Sequence, residues 1–194
     1  RRLKMNKLSV SIRGVRPVLM HSDRLADPLD PFTIRLSALT GKRKKTPADH
    51  EAIAKAEWEG GLYVLDGRVG FPGLVLDAVI RDGAKAKRKG KAVVSGVQVS
   101  EEFVWLQHSG PKEWQKLYDL KDEQDRRQYV DRRGIVVSGR RVSRTRPRFN
   151  DWSMQFSVEI YDFAEVSPSD VHEALITAGQ AVGIGDYRPK FGLF

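Results

Sequence analysis

Trp152-Ser-Met-Gln-Phe-Ser-Val-Glu-Ile160 alternates large apolar residues with small or polar ones over nine positions. Successive side chains of a strand point to opposite faces, so this stretch predicts a half-buried strand with Trp152, Met154, Phe156, Val158 and Ile160 inward. Directly after it, Ser167-Pro-Ser-Asp170 has the hydroxyl, first-turn proline and acid of a helix start. Val171, Leu175, Ala178 and Val182 follow at helical spacing. The helix runs into Gly183-Ile-Gly-Asp-Tyr-Arg-Pro-Lys-Phe-Gly-Leu-Phe194, which combines three glycines, two cations and three aromatics, Tyr187 among them. A Gly-x-Gly turn can bring backbone N–H groups close to a phosphate, because glycine has no Cβ.

Working outward, Leu8, Val10 and Ile12 alternate with Ser9, Ser11 and Arg13, which predicts a first strand. Residues 14–31 carry three prolines and read as a long loop. Thr46-Pro-Ala-Asp49 starts a second capped helix that Gly60-Gly61 should stop. A short strand at 62–65 turns at Asp66-Gly67, and Phe71-Pro-Gly73 leads into a helix over 74–87 with Val75, Ala78 and Val79 as its apolar stripe. Residues 93–99 and 102–106 are strand-like, 111–133 is polar, and 135–142 is strand-like with Gly139 as a bulge or close approach. The expected fold class is α+β, with a ferredoxin-like (RRM-like) βαββαβ core whose last strand would begin at 190–194. That gives one domain over 1–194, with insertions at about 15–70 and 107–133 and a C-terminal Gly-rich loop.

The chain has 194 residues, a formal charge of +9 and no cysteine. Absent thiols exclude disulfides and thiolate metal sites or nucleophiles. No apolar run is long enough to span a bilayer, and Arg1-Arg-Leu-Lys-Met-Asn6 lacks the apolar segment of a signal peptide. A cytoplasmic setting, in a bacterium or a phage-infected cell, is the expectation. The positive charge is clustered: Lys42-Arg-Lys-Lys45, six cations from Arg81 to Lys91 with Asp82 as sole acid, and seven arginines from Arg132 to Arg148 with no acid. Clustered cations predict a polyanionic partner.

The element order and Gly183-Ile-Gly185 with Gly192, placed after the helix Val171–Val182, resemble the repeat-associated mysterious protein (RAMP) superfamily, the RRM-like proteins of CRISPR effector complexes. The resemblance covers strand 8–14, helix 74–87 and residues 152–194, and the spacing onward to Gly192 departs from a strict match. The ending is also similar to that of small phage- or prophage-encoded proteins. The superfamily resemblance implies binding of single-stranded RNA through its backbone, with copies assembling along the strand. No cofactor and no membrane partner are expected.

The expected binding residues are Arg81, Lys85, Lys87, Arg88 and Lys89 at a helix end, Arg140, Arg144, Arg146 and Arg148 on a β-hairpin arm, and Gly183, Gly185, Tyr187, Arg188 and Lys190 in the terminal loop. Arginine pairs bidentately with phosphate and stacks on unpaired bases. Single-stranded DNA is the lesser alternative ligand. Two further readings stay open: an endoribonuclease of the same superfamily, or a phage structural or assembly protein with a DNA-contacting basic face. Catalysis is not the favoured reading. His21 and Asp23, in the loop after the first strand, are the candidates for it, and no metal-ligand spacing is present.

Overall fold

A computed structural model describes residues 4–194, apart from the Val137 side chain; Arg1–Leu3, which enter the N-terminal reading above, lie outside the described residues. In chain order the elements begin with β1 (Met5–Arg13), β2 (Val18–Leu19), α1 (Pro31–Thr40), α2 (Pro47–Gly61), β3 (Val64–Leu65), β4 (Arg68–Pro72) and α3 (Gly73–Ala84). Then come α4 (Gly90–Gly96), β5 (Val97–Val99), β6 (Phe103–Trp105), β7 (Gln107–His108), α5 (Gln115–Tyr118) and α6 (Glu123–Tyr129). The chain closes with β8 (Val130–Val137), β9 (Arg140–Phe149), β10 (Trp152–Tyr161) and α7 (Pro168–Thr177). The fold is mixed α+β with open antiparallel sheets. The described residues form two compact units: residues 4–18, 64–109 and 150–194 make the first, and 19–63 with 110–149 make the second. Residues 134–149, which lie outside both expected insertions, belong to the second unit.

In the first unit β10 is central. It pairs antiparallel with β1 from Met5↔Tyr161 to Arg13↔Ser153, and on its other side with β5 from Val158↔Val99 to Ile160↔Val97. Both neighbours run against β10, so β1 and β5 are parallel to each other, with α3 in the connection between them. The alternation in β10 has the cause expected from the sequence: Trp152, Met154, Phe156, Val158 and Ile160 are all buried. The register sets Ile12, Val10 and Leu8 beside Met154, Phe156 and Val158 on the same face. Leu76, Val79 and Ile80 of α3 and Val171 and Leu175 of α7 complete this core. Helices α3 and α7 approach closely because Gly83 has no side chain; a Cβ there would lie 2.0 Å from the Ala174 carbonyl oxygen. A second sheet, β3-β4-β6, turns at Asp66 (φ 48°) and Gly67 (φ 72°), the positive-φ pair of a tight hairpin.

Helix α7 is held at its start by a reciprocal cap: the Ser167 hydroxyl accepts the Asp170 N–H at 3.2 Å, and the Asp170 carboxylate accepts the Ser167 N–H at 2.9 Å. Ser167→Ala is expected to destabilise the first unit by about 1 kcal/mol, read by urea denaturation. Hydrogen bonds from Lys89, then from Ser167, hold the Asp170 carboxyl well below the usual carboxylate range. A depressed carboxyl contributes stability above its unfolded value and loses it as pH falls through its folded value. The Asp170 contribution therefore stays constant from neutral pH down to the ordinary carboxylate range, and an Asp170→Asn difference that shrinks already near neutrality would contradict this.

Four expectations need correction. Val93–Gly96 is helix α4, not strand: the Val93 N–H donates to the Lys89 carbonyl at 3.0 Å, and tertiary packing of Gly96 on Ala164 overrides the β-branched residues. The buried stripe of α3 is Leu76, Val79, Ile80 and Gly83. Gly139 is no bulge; Ser138 (φ 49°) and Gly139 (φ 76°) form the two-residue turn of the long β8–β9 hairpin, paired from Val137↔Arg140 to Val130↔Pro147. Among the described residues no strand forms at 190–194. The Leu193 carbonyl instead accepts the N–H groups of Val15 and Arg16 (2.9 and 3.2 Å), and the Phe194 ring stands 6.4 Å from that of Trp152.

In the second unit β9 lies between β2 and β8. Thr46 and Asp49 cap α2 as the sequence predicts. Trp58, Leu62, Leu117, Tyr118, Tyr129 and Phe149 are buried there. No described helix is long and apolar enough to cross a membrane.

Candidate functional site

The terminal loop carries positive φ at Gly183 (74°), Gly185 (81°), Tyr187 (62°) and Gly192 (74°). Its amides, expected to face a phosphate, mostly serve the loop itself. The Gly183 N–H donates to the Ala178 carbonyl at 2.8 Å, Ile184 to Gly192 at 2.9 Å, and Gly192 to Pro17 at 2.8 Å. The Tyr187 N–H donates to the Asp186 carboxylate at 2.9 Å. Gly183 and Gly192 are required by backbone contact: a Cβ on Gly192 would lie 1.8 Å from the Ile184 oxygen, and one on Gly183 2.8 Å from the Phe191 oxygen. Gly183 is buried, Gly185 is half-buried, and Tyr187, Arg188 and Lys190 are exposed on the outside of the loop. Arg188 reaches the Gly183 carbonyl at 3.5 Å and stands 4.0 Å from the Asp82 carboxylate. The expectation of an amide cradle at Gly183 is therefore corrected; the exposed cations of the loop remain.

The run from Arg81 to Lys91 begins in the last turn of α3, continues through a short 3-10 turn that ends at Arg88 (φ 59°), and enters α4. This path places Arg81, Lys85, Arg88 and Lys91 around one cleft of about 410 Å³, with Gly90 and Val94 between them. Asp82 accepts from Arg81 at 3.1 Å and Lys85 at 2.7 Å. Burial by itself would raise the Asp82 carboxyl, but these two hydrogen bonds outweigh it and hold the group below its ordinary value. Lys87 pairs with Glu173 and Lys89 with Asp170 (2.7 Å), so the structure commits these two expected phosphate ligands to α7. Among the described residues, Arg88 and Lys91 have no carboxylate within ion-pair distance.

A second cleft, of about 480 Å³, shares Arg81 and Val94 with the first. Its walls include Leu74 and Asp77 of α3, Gln98 of β5, and Tyr161 and Phe163 at the end of β10. The Tyr161 and Phe163 rings are stacked, 5.7 Å apart at 22°. Gln98 donates to the Tyr161 hydroxyl at 2.9 Å and to Glu159 at 3.1 Å, which fixes the tyrosine. Phe163, Leu74 and Val94 are 59%, 80% and 67% exposed, an unusual density of bare apolar side chains beside a cation cluster. Neither aromatic was among the residues expected from the sequence. The available signal was Tyr161, which continues the strand on its polar face and there breaks the alternation.

The arginines of the second unit divide. Those at alternate positions of β9 do share one face, but Arg144 lies 3.6 Å from the buried Glu57 and Arg148 lies 3.9 Å from the buried Asp131. Asp131 is also gripped by Arg133. Glu57 accepts the Thr145 N–H at 2.8 Å; burial pushes its carboxyl up, while that N–H and the nearby Arg144 and Arg146 oppose the rise. Arg146 is only 6% exposed. Arg144 and Arg148 are thus half-buried beside buried acids, and Arg146 is buried near Glu57, which corrects the expectation of an open arginine row. Arg140 and Arg141, flanking the hairpin turn, are exposed and have no carboxylate partner among the described residues.

His21 and Asp23 flank the buried Ser22, whose hydroxyl donates to Asp23 at 3.4 Å. Asp27 and Asp30 accept the N–H groups of Leu29 and Phe32, as turn and cap residues do. Among the described residues no three acids or histidines gather as a metal site. The chain matches no protein-family model, and comparison with curated proteins gives no match.

Proposed function

We propose that this chain binds single-stranded nucleic acid, RNA in preference to DNA, through the paired clefts of its first unit. The observation that carries the reading is the continuity of Arg81, Lys85, Arg88 and Lys91 with the stacked Tyr161 and Phe163 through the shared Arg81 and Val94. Cations that track phosphates beside an aromatic face that takes an unpaired base are the common means of holding a single strand. Stacking needs no particular base, and phosphate contacts carry no sequence information, so binding is broad.

The fold supports a ferredoxin-like description of this unit. Its order β1, α3, β5, β10, α7, with β10 between β1 and β5, follows the first five elements of βαββαβ, and the sixth strand is replaced by the irregular ending. The resemblance of the ending to RAMP proteins supports RNA as ligand and assembly of copies along the strand. The polar face of the sheet, with Ser9, Ser11, Gln155 and Ser157, carries no aromatic platform there. Stacking is therefore assigned to the cleft at its edge. Arg140 and Arg141 give the second unit its own basic feature.

The test is fluorescence anisotropy with a short labelled RNA, its DNA counterpart and the same sequence as a duplex. Tighter binding of the single strands is the expected outcome, because a paired base cannot reach Phe163. Equal or tighter binding of duplex would favour the reading of a DNA-contacting structural protein.

A further inference from the structure

The aromatic cleft contains a carboxylate whose structural duty leaves half of it unused. Asp77 projects from α3, and one of its oxygens accepts the Val99 N–H at 2.7 Å at the end of β5. Among the described residues its other oxygen has no hydrogen-bond partner and no cation lies within ion-pair distance of it; Arg81, one turn on, pairs with Asp82. Asp77 is half-buried, and that burial raises its carboxyl above the ordinary value against the opposing Val99 hydrogen bond. Two other side chains on these walls also offer acceptors. Gln98 has its amide nitrogen engaged by Glu159 and Tyr161, which leaves its carbonyl oxygen. Ser95 donates its hydroxyl hydrogen to Ala92 at 2.8 Å, which leaves its lone pairs.

We infer that Asp77 reads the donor edge of a base stacked on Phe163 and selects guanine within the bound strand; this rests on the single-strand reading above. Guanine alone among the common bases presents two adjacent donors, N1–H and the N2 amino group, on its Watson–Crick edge. A carboxylate can accept both. Uracil and thymine present one donor between two carbonyls, which would meet the Asp77 charge unfavourably. Adenine and cytosine set an amino donor beside a ring-nitrogen acceptor, so one contact is gained and one opposed. The cleft volume of about 480 Å³ lies within the range of sites that enclose a small molecule. Arg81, shared with the cation cleft, provides the adjoining phosphate contact. Binding is then broad along the strand and selective at one position.

The test compares an oligouridylate with the same strand carrying one internal guanosine, or inosine in its place, by anisotropy on the full chain. Wild type is expected to bind the guanosine strand about tenfold more tightly than the parent, the scale of one bidentate base contact. Inosine, without the N2 amino group, should lose most of that preference. Asp77→Asn keeps an acceptor for the Val99 N–H and turns an amide donor to the cleft, so the guanosine preference should vanish while binding of the parent strand persists. Equal wild-type affinity for guanosine and uridine strands, or a guanosine preference unchanged in Asp77→Asn, overturns the inference and leaves the single-strand reading standing. Failure to bind any strand overturns both. Guanosine monophosphate is the control for a free nucleotide: it should compete only weakly, and Asp77-dependent binding of it without strand binding would overturn the strand as the source of the base.

Discussion

Trp58→Ala is expected to destabilise the second unit by about 3–5 kcal/mol, the usual cost of emptying a buried tryptophan site. Trp58 is fully buried, and its indole N–H donates to the Tyr129 carbonyl at 2.8 Å. Its ring meets Tyr118 edge-on at 5.4 Å and Trp114 at 6.4 Å. These contacts join residues 19–63 to residues 110–149, segments that build one unit from two distant parts of the chain. Truncation leaves a cavity and strips the Tyr129 carbonyl of its donor. Trp58→Phe separates the two effects, since it fills most of the volume and loses only the N–H; about 1–3 kcal/mol is expected. Denaturant unfolding followed by tryptophan fluorescence and by circular dichroism measures both. Equal losses for the two variants would show that the hydrogen bond, not the packing, dominates.

The second large effect is electrostatic. If Arg81, Lys85, Arg88 and Lys91 each contact a phosphate, the logarithm of the single-strand association constant should fall against the logarithm of salt with slope about −2.8. Affinity would drop about fifty-fold between roughly 50 and 200 mM salt. Removing Arg88 and Lys91 together should halve the slope to about −1.4. These two are chosen because they make no ion pair with a described carboxylate, so their loss should leave stability nearly unchanged. By contrast, Arg144→Ala removes a partner of the buried Glu57 and should reduce stability before it reduces binding. An unaltered slope in the Arg88→Ala/Lys91→Ala variant would place the phosphates elsewhere, with Arg140 and Arg141 next in order.

Local rules made part of this legible. The strict alternation of β10 and the two capping boxes depend on near neighbours, and both stand in the structure as the sequence predicts. Helix α4 escaped because Val93-Val94 favours a strand locally, while the contact of Gly96 with Ala164 that decides the matter spans nearly seventy residues. Strand β9 was obscured by its own chemistry. Arg144, Thr145 and Arg146 look like a solvated arm until Glu57, some ninety residues earlier, supplies their interior partner. The cation run of the site was visible as composition, yet which of its members are neutralised was not. Lys87 and Lys89 look identical to Lys91 in sequence, and only the placement of Glu173 and Asp170 distinguishes them. Tyr161 and Phe163 stand about eighty residues from Arg81, beyond the reach of any local pattern.

In the proposed complex a single strand lies across the cation cleft with a base against the stacked aromatics. Ultraviolet cross-linking of a bound oligonucleotide, followed by mass spectrometry of the digested protein, tests it without perturbing a residue. The cross-linked peptides should contain Tyr161 or Phe163, and high salt should abolish them together with binding. Cross-links confined to Trp105, Tyr187 or the β8–β9 hairpin, with none near Phe163, would contradict the account.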